Sequence, residues 1–432
     1  LILPSIQRNI KLERGQIMLE RFKNYDMDEK LIIITCIAMY LPFYIGFAFL
    51  AFNLFYYIYT NQIGKIVKEI ARTKFLFVFI VYSIVVSVIH QNSYGLMASI
   101  AILIFCMFFL FYRNKLTKTL FKDSIRVIVI MTGLTFIATI AKYGILFLQN
   151  DMSLMALAEY SAENREISNY FNSNYYAMVC EMMIIVTGYL AHKSKKKIHR
   201  VLYICLTILA FGALILTGSR SGLATAVLLL VLMNLKLTKT KIGWIEVGIA
   251  LFIGINIIGE TGLFPRFGTM EHAVGLREKI WREALRIIDQ NWLTGVGPLG
   301  IYSEVHSIGS RVVHHSHNII LDGLVNFGVM GIALIFPFAK RIRDEVHHAK
   351  KSPYYTVILF LTAVIIIHGM VDVTIFWHQT AFIYFVFAIS MGKLYPMEEK
   401  ADARVLSRNN IPVVVKSCKG KVVYSEEEKS EL

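Results

Sequence analysis

Three imidazoles crowd into His314-His315-Ser316-His317-Asn318, where a polar stretch gives way to an apolar run beginning Ile319-Ile320-Leu321. Histidine titrates closest to neutral pH, so the cluster suits a general base, a substrate contact or a metal ligand. Zinc is the rival reading. It wants three or four ligands of known geometry, usually with a carboxylate or thiolate among them, and this spacing supplies neither. Catalysis or substrate contact is therefore expected, and no metal. Ser219-Arg220-Ser221-Gly222 falls where one apolar run ends and the next begins, which places Arg220 near a membrane surface. A guanidinium close to hydrocarbon costs on the order of 2–3 kcal/mol, so it needs a partner or a water-filled cavity unless it simply snorkels at a tight turn. Arg277 and Trp281 are four apart on an amphipathic stretch and share a face, which lets the indole brace the guanidinium. His368 and Asp372 have the same spacing in the outer half of another run, and Glu181 and Asp322 lie just inside two more. Together these groups gather toward one side of the bilayer, as a polar cavity open on that side requires.

The elements that must carry them are membrane spans. Of 432 residues, 56% are hydrophobic and only 17% charged, and the mean hydropathy is +0.56, which excludes a large water-soluble catalytic domain. Runs long enough for a bilayer lie near 74–90, 95–112, 124–148, 174–192, 201–218, 221–235, 242–259, 317–339, 354–375 and 376–392. The run 31–59 is long for one helix, contains Pro42, and has basic residues on both flanks, so it is expected to cross twice as a short hairpin. The expected fold class is an all-α polytopic membrane protein of about twelve transmembrane helices. Segments 1–30, 60–74, 113–123, 192–200, 236–241, 339–352 and 393–432 hold 35 of the 45 Lys and Arg residues, which puts these segments and both termini in the cytoplasm. The expected organisation is a basic cytoplasmic segment 1–30, a transmembrane domain 31–392 and a disordered cytoplasmic tail 393–432.

The net charge of +15 is dispersed in short clusters between apolar runs, so it reports orientation and not nucleic acid. Lys193-Ser194-Lys195-Lys196-Lys197 reads as a membrane-lipid anchor. Five cysteines give no disulfide framework. The first apolar run lacks a small-residue cleavage site and is expected to be retained. Function is to be sought in the external segments 149–173 and 260–316. The larger one carries Arg266, Arg277, Lys279, Arg282, Arg286 and Arg311, and its stretch Leu276 to Asp289 reads as an amphipathic helix that lies on the membrane or caps the bundle. Gly295-Val296-Gly297-Pro298-Leu299-Gly300 matches a dinucleotide fingerprint in letters, but it follows an amphipathic helix where the fingerprint needs a strand, so a tight loop is expected. Asp26-Met27-Asp28 is read as polar chain beside the membrane and not as a metal-holding pair.

In order and in topology these motifs resemble the O-antigen ligase and polymerase superfamily, membrane enzymes that transfer glycans from a polyprenyl diphosphate carrier. Asn174-Tyr175-Tyr176-Ala177 looks like the family's Asn-x-x-Ala start of a span, and Ser219-Arg220 like its Ser-Arg signature. Arg277 with Trp281, then Gly295-Val296-Gly297, is similar to its Arg-then-Trp helix leading into a Gly-x-Gly loop. His317-Asn318, Gly328-Val329-Met330-Gly331 and the His368/Asp372 pair look like its later marks, while His314 and His315 lie outside the pattern. The resemblance spans residues 174 to 375. It implies a bacterial cytoplasmic-membrane enzyme without metal or other cofactor, with lipid-linked oligosaccharide as substrate and a flippase and a chain-length regulator as partners.

The chemistry follows from the reaction. A sugar hydroxyl attacks the anomeric carbon and the carrier leaves as a diphosphate of increased negative charge, which forked guanidinium groups can hold. Arg220 and Arg277 are the candidates for that charge, and His317 for the base. Ser219, Trp281, Arg266, His315, Asn318, Asn174, His368 and Asp372 are expected around the substrate. The implied activity is polymerisation of repeat units into a capsular, exopolysaccharide or O-antigen-like chain. A ligase uses the same donor chemistry, and a transporter of the same lipid-linked sugar is the alternative from a different class.

Overall fold

The computed structural model describes residues 19–66, 73–238, 270–408, 414–418 and 421–425. Helices dominate. Helices α1 (Met27–Ala38) and α2 (Phe43–Tyr59) divide the run 31–59, and Pro42 stands at the N-terminus of α2. They pack as a hairpin in which the Asn53 amide donates to Thr35 Oγ1 at 2.8 Å. Asp26 begins α1 as one half of a capping box with Glu29, which accounts for its carboxylate without a metal. Then follow α3 (Lys74–Ile89), α4 (Ser93–Lys115), α5 (Lys118–Gln149), α6 (Leu154–Glu163), α7 (Ser173–Lys193), α8 (Lys197–Leu216) and α9 (Arg220–Thr238). After the described chain resumes come α10 (Met270–Asn291), α11 (Gly300–Glu304), a two-residue hairpin β1 (Ser307–Ile308) with β2 (Arg311–Val312), α12 (Ile319–His348), α13 (Tyr355–Gly369) and α14 (His378–Arg408).

Five described helices, α4, α5, α8, α9 and α12, are long and apolar enough to cross a membrane, and α2, α3 and α13 are shorter apolar ones. The expected count of twelve is not reached among the described residues. Helix α1, with 12 residues, is about 18 Å long, which is less than the hydrocarbon thickness. The expected run 242–259 lies outside the described residues, as does Arg266. The tail from Lys393, expected to lack regular structure, instead continues α14 to Arg408 and carries a hairpin of β3 (Val414–Cys418) with β4 (Lys421–Ser425). Its Glu-, Lys- and Ala-containing stretch favours helix and its valines favour strand, preferences that a reading by charge alone overlooks.

Helix α7 runs through the middle of the main core and is buried on nearly every face, from Tyr176 to Tyr189, against α8, α9 and α13. A helix apolar all round has no other place to go. A second, smaller core lies beneath α10, where Ile280, Ala284 and Ile287 meet Val296, Ile301, Val313 and Val325. The amphipathic helix thus caps the bundle.

One break organises this end of the molecule. Gly328 interrupts α12 with φ 58° and ψ −174°, freeing backbone groups that a helix would otherwise pair. The loop after α10 takes them up. Val296 and Gly297 donate to the carbonyls of Val325 and Asn326 at 2.9 Å each, and Val329 and Met330 donate to those of Trp292 and Leu293 at 3.0 Å each. Tyr82 from α3 donates to Thr294 O and Phe327 O at 2.7 and 3.0 Å. A Cβ on Gly328 would come within 2.4 Å of Leu293 O, and one on Gly295, at φ 65°, within 2.6 Å of the Asn326 backbone. The Gly-x-Gly and Gly-x-x-Gly motifs are therefore two sides of one joint, and the nucleotide reading of Gly295 to Gly300 finds no strand to support it.

Gly328→Ala and Gly295→Ala combine left-handed backbone strain with a clash, and each is expected to cost at least about 2 kcal/mol. In thermal unfolding of the detergent-solubilised protein both variants should melt several degrees below wild type. Gly144→Ala, whose added Cβ meets nothing within 4 Å, should not.

Candidate functional site

Ser316 is tied at both backbone groups, and this fixes its two histidine neighbours. Its N–H donates to Asp322 Oδ1 at 2.8 Å, and its carbonyl accepts the Trp281 indole N–H at 2.9 Å. Asp322 is in turn held by Asn326, whose other amide atom accepts Gly300 N–H at 3.0 Å, so the histidine loop hangs from the same joint as the glycines. Asn318 caps α12, accepting from Ile320 and Leu321, and donates to Met370 O at 3.2 Å. That last bond draws the chain after α13 toward the loop.

The result brings His315, His317 and Asp372 together. His317 Nδ1 lies 3.2 Å and His315 Nε2 3.7 Å from Asp372 Oδ1, and the two imidazoles meet edge to face with centroids 4.4 Å apart. His317 sits at φ 55°, a left-handed conformation uncommon for a residue with a side chain. Asp372 is fully buried and amply liganded. Val373 N–H donates to its Oδ1 at 2.8 Å and the Asn174 amide to its Oδ2. The Arg165 guanidinium then donates to Asn174 Oδ1 and, at 2.8 Å, to Thr217 O beside the Ser-Arg motif. Sequence reasoning missed Arg165. Nothing in its neighbourhood marks it, because its role depends on a fold that brings the 149–173 segment against the turn before α9.

His315 Nδ1 accepts the His317 backbone N–H at 3.3 Å, leaving Nε2 to carry the proton toward Asp372. Burial, then the neighbouring His317, pushes the His315 pKa down to about 4, so this imidazole is neutral at physiological pH. The carboxylate missing from the linear pattern is thus supplied from a distant segment. His315, His317 and Asp372 each offer a ligand atom, all within 4.8 Å of one another, and this donor set fits a zinc or related ion after a small closure.

The remaining candidates take different places. Ser219 lies at the start of α9, where its Oγ accepts Gly222 N–H at 3.3 Å. A Cβ on Gly222 would approach Glu181 Oε1 to 2.8 Å, which explains the glycine of that motif. His368 is buried beneath the cluster, not brought into it, with its Nδ1 2.6 Å from Glu181 Oε1. Trp281 does not brace Arg277 as its spacing suggested; its indole N–H goes to the Ser316 carbonyl. Arg277, one turn earlier on α10, lies within electrostatic range of both Arg220 and His368. Arg220 and Arg277 thus feel one another's charge.

The described residues form an all-α bundle with several helices apolar enough to cross a membrane, and at one place in it His315, His317 and Asp372 meet. Residues 205–336 match the O-antigen ligase family, and this match carries the Ser219-Arg220, Arg277-Trp281, Gly295-x-Gly297, His317-Asn318 and Gly328 motifs. The resemblance to the O-antigen ligase and polymerase superfamily thus holds over this segment, and it points to a membrane enzyme that handles glycans. Asn174 and Asp372 lie outside the matched segment yet reach its histidines. No curated protein matches the chain.

Because His315 binds its proton far less readily folded than unfolded, the unfolded chain holds more protons between about pH 4 and the ordinary histidine value near 6.5. Its contribution to stability is present above that window and lost as pH falls through it. Melting temperatures measured from pH 7.5 to 4.5 should drop less steeply in His315→Asn than in wild type.

Proposed function

We propose that this protein is a polymerase that joins oligosaccharide repeat units carried on a polyprenyl diphosphate, on the outer face of the bacterial cytoplasmic membrane. The observation that carries this reading is the His317–Asp372 contact at 3.2 Å, with Arg220 and Arg277 within electrostatic range of one another. A diphosphate between two guanidinium groups would take forked hydrogen bonds from both. The acceptor hydroxyl attacks the anomeric carbon as the bond from that carbon to the diphosphate oxygen breaks. His317 takes the hydroxyl proton, with Asp372 oriented by Asn174 to stabilise the imidazolium formed. The charge appearing on the departing diphosphate falls to Arg220 and Arg277. Ser219, Trp281, Asn318 and Arg165 act as positioning residues, and His315 stands next to the base.

The site supplies its positive charge from side chains, so the reaction proceeds without metal. The wider arrangement proposed is twelve spans with both termini and the 393–432 segment cytoplasmic, and capsular or exopolysaccharide chains as product. A flippase that delivers the carrier and a regulator of chain length are the expected partners. A ligase moving the finished glycan onto another acceptor would use the same groups. One observation favours a second reading of the histidines: the compact His315, His317 and Asp372 set could hold a metal ion.

Purified protein supplied with lipid-diphosphate oligosaccharide in detergent should lengthen the glycan and release carrier diphosphate. Arg220→Ala and Arg277→Ala should each lower kcat by at least about a hundredfold, comparable to removing one fixed stabilising donor, with Arg→Lys recovering little because the fork is lost. His317→Ala should abolish transfer while donor binding persists; full activity in this variant would overturn the assignment of the base. Turnover absent in detergent but transport intact in vesicles would favour a transporter.

Exhaustive chelation should leave the transfer rate unchanged. A loss that zinc restores would make His315, His317 and Asp372 metal ligands instead.

A further inference from the structure

A stack of aromatic rings adjoins the histidine cluster and has no part in the reaction as drawn. Trp377, just before α14, lies nearly parallel to Tyr175 at 4.9 Å and 14° and to Phe171 at 5.7 Å and 23°. Its indole N–H donates to Gln379 Oε1 at 2.6 Å, which fixes the ring's rotation. Phe43, at the start of α2, meets both Phe171 and Trp377. On the other side Tyr175 reaches His315 with centroids 6.4 Å apart, so the stack is continuous with the proposed site.

Phe171 is the exposed face of this stack, and its exposure is imposed by its neighbours. Tyr170 before it is buried parallel to Tyr176 at 4.7 Å, while Asn172 after it caps α7 by accepting Asn174 N–H at 2.8 Å. Pinned on both sides, Phe171 adopts φ 64° and keeps 62% of its surface open. The ring is thus held outward by its backbone with one face open.

We infer that Phe171, backed by Trp377 and Tyr175, offers its open ring face as a platform for a pyranose of the glycan substrate, at the end of the stack away from His315. This rests on the glycosyl-transfer reading above. A pyranose has an apolar face of axial C–H groups and an edge of hydroxyls, so it fits a flat aromatic surface bordered by polar side chains. Asn174, next to Tyr175 in the chain, bonds Arg165 and Asp372 and brings polar groups to the far end of the stack. A polyprenyl tail would instead call for a groove apolar throughout, and a headgroup-level aromatic anchor would not need to abut the buried carboxylate.

The test uses full-length protein in detergent and, as probes, the oligosaccharide repeat cut from the producing cell's own surface polysaccharide and polyprenyl monophosphate without sugar. Phe171→Ala should weaken oligosaccharide binding roughly three- to tenfold, the range expected for losing an aromatic contact. Phe171→Leu should weaken it as much and Phe171→Tyr hardly at all, since the ring and not its apolarity is what matters. In the transfer assay Phe171→Ala should raise KM and leave kcat near wild type, and polyprenyl monophosphate binding should not change. Full oligosaccharide affinity in Phe171→Leu, or a loss confined to polyprenyl monophosphate, overturns the platform in favour of a lipid contact. Wild-type transfer with an unchanged KM in Phe171→Ala overturns the platform alone, whereas a wild-type protein that transfers no glycan overturns the proposed function and the platform with it.

Discussion

Backbone amides that leave a helix near hydrocarbon must find partners within the protein, and the break at Gly328 is where this constraint shapes the molecule. The carbonyls of Val325, Asn326 and Phe327 and the amides of Val329 and Met330 are taken up by the loop after α10 or by Tyr82. That exchange can occur only if the loop lies flat against the helix, and the two closest backbone approaches fall at glycines 295 and 328. The histidine loop is suspended from the same joint through Asp322 and Asn326. The chemistry-bearing residues are thus carried on irregular chain, yet on chain whose hydrogen bonds leave it little freedom.

This explains which features could be read from the residues alone. Apolar runs announced most helices within a few residues of their bounds, because periodicity and length are local properties. The amphipathic stripe Leu276, Ile280, Ala284 and Ile287 likewise foretold an amphipathic helix, on the membrane or over the bundle, and Ile280, Ala284 and Ile287 are buried in a small core. The motif letters located the site but often misassigned its roles. Asn318 and Ser219 spend their side chains on helix starts, and Trp281 supports the histidine loop and not the arginine beside it. Caps and braces carry the same residue types as binding sites, and sequence spacing cannot separate them.

The part least legible was the centre. Asn174 and Asp372 bond across 198 positions, and Arg165 enters only through Asn174. No local pattern encodes such a chain, since each link is made by the packing of α7 against α13 and the turn before α9. The missing carboxylate that argued against a metal at the histidines was supplied in this way, from the segment between α13 and α14. A distant partner can alter the chemistry of a local cluster without leaving a mark on it.

In the proposed transfer, the two arginines would favour a transition state and not merely a substrate. Two unit positive charges several Å apart near a protein surface repel by a few kcal/mol, about 4 at 4 Å. A bound diphosphate relieves that repulsion in part, while the leaving diphosphate, which gains charge as the glycosidic bond breaks, relieves more of it. The difference between those two states, not the total binding, is what lowers the barrier. The imidazolium formed at His317 adds a third positive charge nearby, and the buried Asp372 within 3.2 Å keeps its growth from opposing the arginines. A carboxylate held by Asn174 and Val373 before reaction begins costs no reorganisation at that moment, which is why its hydrogen bonds matter as much as its charge.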